Sequence, residues 1–255
     1  MPSPLGQEYR TASFSTPSGK DKFTLIKFEA SEALSELFTY NIEAASNTEN
    51  ADLQSRADRR TNTIAVTFDR ICSVLESLGY LSAGGAEVTD AGRMLARVYA
   101  ELDLVSTECL RAGVFDGLSA PQLAAVLSSL VYEARGGDRR RPSRMPDRAS
   151  EAAQQELRRI WRQVGLTERD HRLERGPEPD IGFAETIHAW ASGRPLGDVL
   201  DDSGLTAGDF VRWARQVIDL AGQVADASDG DLRETCREAI FRIRRGVVDV
   251  SPLED

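Results

Sequence analysis

The sequence has only three cysteines, Cys72, Cys109 and Cys236, and they lie far apart. This number and spacing exclude a disulfide scaffold and a closed zinc knuckle. Apolar runs are only a few residues long, so we expect no transmembrane helix. The first residues lack a basic end followed by an apolar stretch, so we expect no secretory signal and a cytoplasmic location.

Lysine is missing from most of the chain. It occurs only at Lys20, Lys22 and Lys27, and every basic residue after residue 54 is arginine. Both cations solubilise a surface equally well, so folding does not demand this change. We interpret it as a boundary near residues 53–59 between two segments of different origin, with chance in a short first segment as the alternative.

The sequence also lacks the motifs of a self-contained active site. It contains no G-x-x-x-x-G-K-[ST] loop and no DExH or DEAD tetrapeptide, and His171 and His188 are not at H-x-x-x-H spacing. The cysteines lie beside apolar residues, which is typical of buried, inert thiols. We therefore predict no catalytic residue, no metal site and no cofactor site in this chain.

The formal net charge of the 255 residues is −10 at pH 7. Such an acidic chain is a poor candidate for unassisted nucleic-acid binding, because neutralising phosphates requires a basic surface. We expect no sequence-specific DNA binding. The arginine run at 139–141 is consistent with a phosphate contact or with a solvated loop.

Residues 1–54 have the pattern of short strands, with β-branched and aromatic residues at 23–28 and an alternating pattern at 38–42. A lone pair of strands is not independently stable. We predict a β-rich or poorly ordered fragment here.

The rest of the chain has helical periodicity. An apolar stripe predicts a helix from Ile64 that ends at Gly79, and Gly84-Gly85 predicts a hairpin turn within residues 80–89. A helix capped by Thr89 or Asp90 should then continue through Val105. This order is typical of the end of a winged-helix domain, but a helix pair joined by a β-turn gives the same pattern.

We predict a helical bundle over residues 113–255. The spacing of apolar residues places helices from Ser119 to Val131, from Glu151 to Val164 after a Ser150 cap, from Ile181 to Ser192 and from Leu232 to Arg245.

One more helix, starting at Thr206, carries the clearest candidate surface. Its buried stripe should contain Phe210, Ala214, Val217, Ala221 and Val224. Its opposite face carries Asp209, Arg212, Gln216, Asp219 and Gln223, with Arg215 at the edge. Such a face is either solvated and held by local ion pairs, or it follows a single-stranded backbone through arginine–phosphate contacts.

Several stretches resemble the C-terminal region of superkiller-like DExH-box RNA helicases over residues 56–250. They include GRMLARVY at 92–99, LSAPQLAA at 118–125, EPDIGF at 178–183, HAWASG at 188–193 and LTAGDFVRW at 205–213. The resemblance implies a winged-helix remnant over 55–112 followed by the helical domain known as DSHCT over 113–255.

In that family the helical domain packs against two RecA-like motor lobes and helps to form the exit of the RNA channel. The resemblance therefore implies that the motor lobes or RNA-degradation machinery are partners. It also implies an RNA-facing surface with Arg194, Asp209, Arg212, Arg215 and Gln216. ATP and Mg²⁺ would belong to the motor lobes, whose motifs are missing here, so we expect no ATP hydrolysis by this chain alone.

The first segment resembles something else. FSTPSGKDK at 14–22 and FEASEALSELF at 28–38 are similar to the N-terminus of valine-glycine-repeat spike proteins of type VI secretion, over residues 8–54. Two alternatives to the helicase hypothesis therefore stand: a spike fragment or adaptor carrying a helical domain, and an inactive mosaic remnant.

Overall fold

The structure is a computed structural model that describes residues 10–15, 22–27, 64–85, 87–134 and 143–249. The chain divides into two compact units, residues 1–73 and 74–255. In the first unit, strands β1 (Arg10–Ser15) and β2 (Lys22–Lys27) pair antiparallel. The expected strand at 38–42 lies outside the described residues, and the spike-protein interpretation of residues 1–54 stays a prediction.

The described chain from residue 64 onwards is mainly helical. Helix α1 is described over residues 64–77. The helices that follow within the described residues are α2 (Asp90–Leu95), α3 (Asp103–Arg111), α4 (Ala120–Ser128), α5 (Arg148–Asp170), α6 (Ala184–Ala191), α7 (Leu196–Ser203), α8 (Ala207–Ala227) and α9 (Gly230–Ile243), with 3₁₀ turns at Ile181–Phe183 and Gly246–Val248.

The glycine turn after α1 brings two short segments together without forming strands in the described residues. Leu81 and Val88 form one antiparallel bridge, and the Ser82 amide donates to the Glu87 carbonyl at 2.9 Å. Gly84 lies at φ +81°, a left-handed conformation that favours glycine. The winged-helix interpretation of 55–112 stays a prediction.

The prediction of one continuous helix over 90–105 is wrong. Helix α2 ends at Leu95 and α3 begins at Asp103. The intervening chain instead binds the C-terminal end of α8: Arg97 Nη1 donates to the Asp226 carbonyl at 2.8 Å. The Tyr99 amide donates to Gln223 Oε1 at 2.6 Å. These tertiary contacts outweigh helical propensity, which is a weak preference.

The prediction that Ser150 caps α5 is also wrong. Asp147 is the N-cap, because its Oδ1 accepts the Ser150 amide at 2.9 Å and Asp is as good a cap as Ser. Although burial alone raises it, the pKa of the Asp147 carboxyl lies below its usual value, since Ser150 and Gln122 donate hydrogen bonds to it. Helix α5 therefore starts earlier than predicted, and it also ends later, at Asp170.

Helix α4 is the centre of the second unit. Residues 123–127 of α4 are completely buried, and the helix packs against α5, α6, α8 and α9. A helix that is apolar on all sides needs neighbours on all sides. The four surrounding helices are therefore positioned by the same buried segment.

A chain of aromatic rings joins the end of α4 to α6 and α8. Tyr132 stacks on Phe183 with ring centroids 5.7 Å apart, and it meets Trp213 edge-on at 4.9 Å. Phe210 lies 5.9 Å from Phe183 and 5.3 Å from Trp190. Such pairs add stability beyond their buried area, and these fix the N-terminal half of α8.

Replacing Leu123 by alanine tests the central role of α4. Leu123 is fully buried, so Leu123→Ala should lower the free energy of unfolding by about 2–5 kcal/mol. The matched control is Leu166→Ala on α5, where the side chain is 55% exposed and the change should stay within about 0.5 kcal/mol. Urea denaturation with a shared m-value measures both, and equal losses would contradict this account.

Candidate nucleic-acid interface

The predicted α8 surface begins at a helix cap. The Asp209 amide donates to Thr206 Oγ1 at 3.1 Å, and the Thr206 hydroxyl donates to Asp209 Oδ2 at 2.8 Å. The helix start predicted at Thr206 is therefore confirmed, with Asp209 at the position that glutamate usually takes in a capping box. Asp209 is thereby held at the start of the helix, half-buried.

The predicted buried stripe of α8 is confirmed as well. Its five members, Phe210, Ala214, Val217, Ala221 and Val224, are all completely buried. This burial fixes the rotation of the helix and turns its polar face outwards.

Arg212 lies on that outward face next to Asp209. Arg212 Nη2 is 3.4 Å from Asp209 Oδ1, and its side chain is 41% exposed. The guanidinium also lies 4.3 Å from the ring centroid of Trp213, which is packed edge-on against Tyr132. Arg212 is thus supported from two sides while its side chain stays partly exposed.

The rest of the face is polar and of mixed charge. Gln216 and Asp219 are exposed and make no side-chain hydrogen bond within the described part of the chain. Arg215 is half-buried at the edge of the face. Gln223 is engaged as the acceptor for the Tyr99 amide, so the open face runs from Asp209 to Asp219, about 15 Å along the helix.

Arg194 lies on a different element from the other predicted residues. It follows α6, and its Nη1 pairs with Asp202 Oδ2 of α7 at 2.8 Å. The structure thus brings Asp209 and Arg212 into contact and leaves Arg194 in a separate ion pair.

Arg194 borders an open groove of about 770 Å³. The second arginine of the groove, Arg144, is also paired, with Glu185 Oε1 at 2.8 Å. Asp180 and Asp201 add two further carboxylates to the lining. Among the described lining residues, both arginines are thus neutralised by carboxylates, which does not favour a contact with phosphate.

An arginine contact that the sequence analysis missed holds the end of α6. The Arg245 guanidinium lies 3.4 Å from the ring centroid of Trp190, and its Nη2 donates to the carbonyls of Trp190 and Arg194, each at 2.7 Å. Trp190 Nε1 donates in turn to the Ile243 carbonyl at 2.8 Å. Trp190 falls within a stretch that carried the family resemblance, but its pairing with Arg245 is not visible in the sequence.

Two of the three thiols, Cys109 and Cys236, are buried. Burial raises the pKa of Cys236 to about 12 and also raises that of Cys109, so both stay protonated at neutral pH. No group of three or more His, Cys, Asp or Glu side chains among the described residues is placed to hold a metal ion. Within the same residues, no helix is long and apolar enough to cross a membrane.

A known domain family matches most of this helical unit. The DSHCT (NUC185) domain family matches residues 85–251. The probable helicase HelY of Mycobacterium leprae is 42% identical over 214 residues, which cover 79% of this chain and 23% of that protein. The HelY protein of Mycobacterium tuberculosis strain H37Rv is 40% identical over 215 residues.

More distant similarity extends to eukaryotes. The human exosome RNA helicase MTR4 is 22% identical over 191 residues, which cover 71% of this chain and 18% of that protein. The chain therefore spans about a quarter or less of the length of these curated relatives.

Replacing Arg245 by lysine tests the contact with Trp190. Lysine lacks the planar fork that stacks on the indole and reaches both carbonyls, so Arg245→Lys should lower the free energy of unfolding by about 1–2 kcal/mol. Arg244→Lys is the control, since Arg244 is exposed and its side chain has no partner among the described residues. Urea denaturation should separate the two variants; equal midpoints would show that the contact adds nothing.

Proposed function

The chain belongs to the DSHCT domain family, and from this premise we propose that it is the C-terminal accessory domain of an ATP-dependent DExH-box RNA helicase. It docks on the RecA-like motor lobes and guides single-stranded RNA, in the cytoplasm. The motor lobes bind ATP and Mg²⁺, and this chain contributes no catalytic residue.

The observation that carries the RNA-guiding role is the polar face of α8. Its position is fixed from behind by a fully buried stripe, while Arg212 and Gln216 are exposed in front. An arginine can contact phosphate, and a glutamine amide can contact a sugar or a base edge. The carboxylates of Asp209 and Asp219 reduce the positive charge of this face of α8. Weak contacts result, which a moving RNA strand can break and re-form.

The docking role is supported by apolar side chains that this chain leaves uncovered near its end. Phe241 on α9 is 80% exposed, and Val247 in the following 3₁₀ turn is 39% exposed. A phenylalanine exposed to this degree offers a large apolar area that a protein partner can bury. The names of the relatives point to the partner class, since both the HelY and MTR4 proteins are described as helicases.

Substituting the α8 face tests the RNA-guiding role. Arg212→Ala should weaken binding of a fluorescein-labelled 12-nucleotide oligouridylate by about fivefold and lower the slope of log affinity against log salt by about 0.7, because one phosphate contact is lost. Fluorescence anisotropy between 50 and 200 mM salt measures both quantities.

The control is Arg237→Ala, which removes the same charge from an exposed ion pair with Glu234 on α9. It should change the affinity less than twofold. Equal effects of the two variants, or no binding by the unsubstituted chain at 50 mM salt, would contradict the RNA-guiding role and favour an inactive remnant.

A further inference from the structure

Helix α5 has a solvent-facing side that is rich in arginine. At 100° per residue, seven positions fall within one sector of about 80°. We define these as the α5 stripe: Arg148, Glu151, Gln155, Arg159, Arg162, Leu166 and Arg169. All seven are exposed, and four of them are arginines.

The arginines of the stripe differ from most others in how they are paired. Arg148, Arg162 and Arg169 have no ion-pair partner within the described residues, whereas Arg159 binds Glu156 at 2.6 Å. The acid of the stripe, Glu151, accepts a hydrogen bond from Gln155 at 3.1 Å. Three guanidinium groups are therefore available on one face.

The arginines of α9 provide a contrast. Arg233, Arg237 and Arg242 each pair with a carboxylate three or four residues away, at 2.7–2.9 Å. Such local pairs are the ordinary state of a solvated helix face. The α5 stripe leaves its cations open although the whole chain carries a net charge of −10.

The stripe sits on a firmly held helix. Leu157, Ile160 and Val164 are buried on the opposite side of α5, which packs against α3 and α4. The chain after α5 folds back beside it, where the Arg175 guanidinium lies 3.2 Å from the ring centroid of Trp161. A Cβ added to Gly165 would lie 2.4 Å from Arg175 Nε, so the returning chain packs closely against α5 at this point. The residues of the stripe remain exposed.

We propose that the α5 stripe binds the phosphate backbone of RNA, as a second contact separate from α8. Arg148 and Arg169 are about 31 Å apart along the helix, with Arg159 and Arg162 between them, so the stripe fits an extended polyanion. It holds no aromatic side chain, so it offers phosphate contacts without base stacking and does not discriminate between sequences. Helix α4 packs against both α5 and α8, so the two contacts lie on separate helices that share one buried neighbour.

The test is a double substitution, Arg162→Gln with Arg169→Gln, which keeps the helix and removes two cations. With a 30-nucleotide fluorescein-labelled oligouridylate at 50 mM salt, binding should weaken about tenfold. The slope of log affinity against log salt should fall by about 1.4, since each lost contact with a single strand contributes about 0.7.

The matched control is Arg237→Gln with Arg242→Gln, which removes two cations that are paired on α9. This control should change the affinity less than threefold. Equal losses in both double variants would overturn the proposal, because net charge alone would then explain the effect. Urea denaturation of each variant shows whether the fold is retained.

Leu166→Ala separates phosphate binding from docking of an acidic protein surface. Leu166 is 55% exposed in the stripe, and a protein partner would use it as an apolar contact, whereas a phosphate backbone would not. The variant should bind RNA like the unsubstituted chain. If it binds RNA as weakly as the arginine variant, the contact is apolar and is not made through phosphates. If poly-glutamate competes as well as RNA at equal charge, the stripe accepts acidic protein segments equally well, and either result overturns the proposal.

This inference rests on the proposed function only because it takes RNA as the ligand. Different results would exclude the α5 contact and the α8 contact. If Arg212→Ala weakens binding of the 30-nucleotide RNA and the α5 variant does not, the proposed function stands and the stripe is excluded. If only the α5 variant weakens binding, the stripe stands and the role of α8 is excluded. Loss in both variants supports two separate contacts.

Discussion

The burial of α4 is the constraint on which the rest of the helical unit depends. Residues 123–127 are completely shielded, and this is possible only because α5, α6, α8 and α9 enclose the helix. Each of these four helices is amphipathic or apolar on the side that meets α4, and its outer side is thereby fixed as well. The outward faces of α8 and α5, which carry the candidate contacts, are consequences of that enclosure.

Within this packing, the aromatic ring contacts and Arg245 fix the orientation of α8. Phe210 and Trp213 hold the first turns of α8 against the end of α4 and against α6. Arg245 stacks on Trp190 and so holds the C-terminal end of α6 in place. Because Arg212 is adjacent to Trp213 in sequence and lies over its ring, the placement of its guanidinium follows directly from core packing rather than from a flexible loop.

Sequence reasoning predicted the local features of α8, placed the cap of α5 at Ser150 instead of Asp147, and failed where distant contacts decide. The Thr206 cap and the buried stripe of α8 follow from spacing alone. The break between α2 and α3 could not be predicted, because it depends on Arg97 and Tyr99 binding α8 more than a hundred residues away. The charge of the α5 stripe is readable from the sequence, but which of its arginines stay unpaired is visible only in three dimensions.

Crosslinking is the most direct test of the claim that the polar face of α8 lies along RNA. The chain would be irradiated with a short oligouridylate containing 4-thiouridine, at 50 and 150 mM salt, and the crosslinked peptides would be mapped by mass spectrometry. We expect crosslinks within residues 209–219 that weaken as the salt concentration rises. Crosslinks that avoid this segment at both salt concentrations would contradict it.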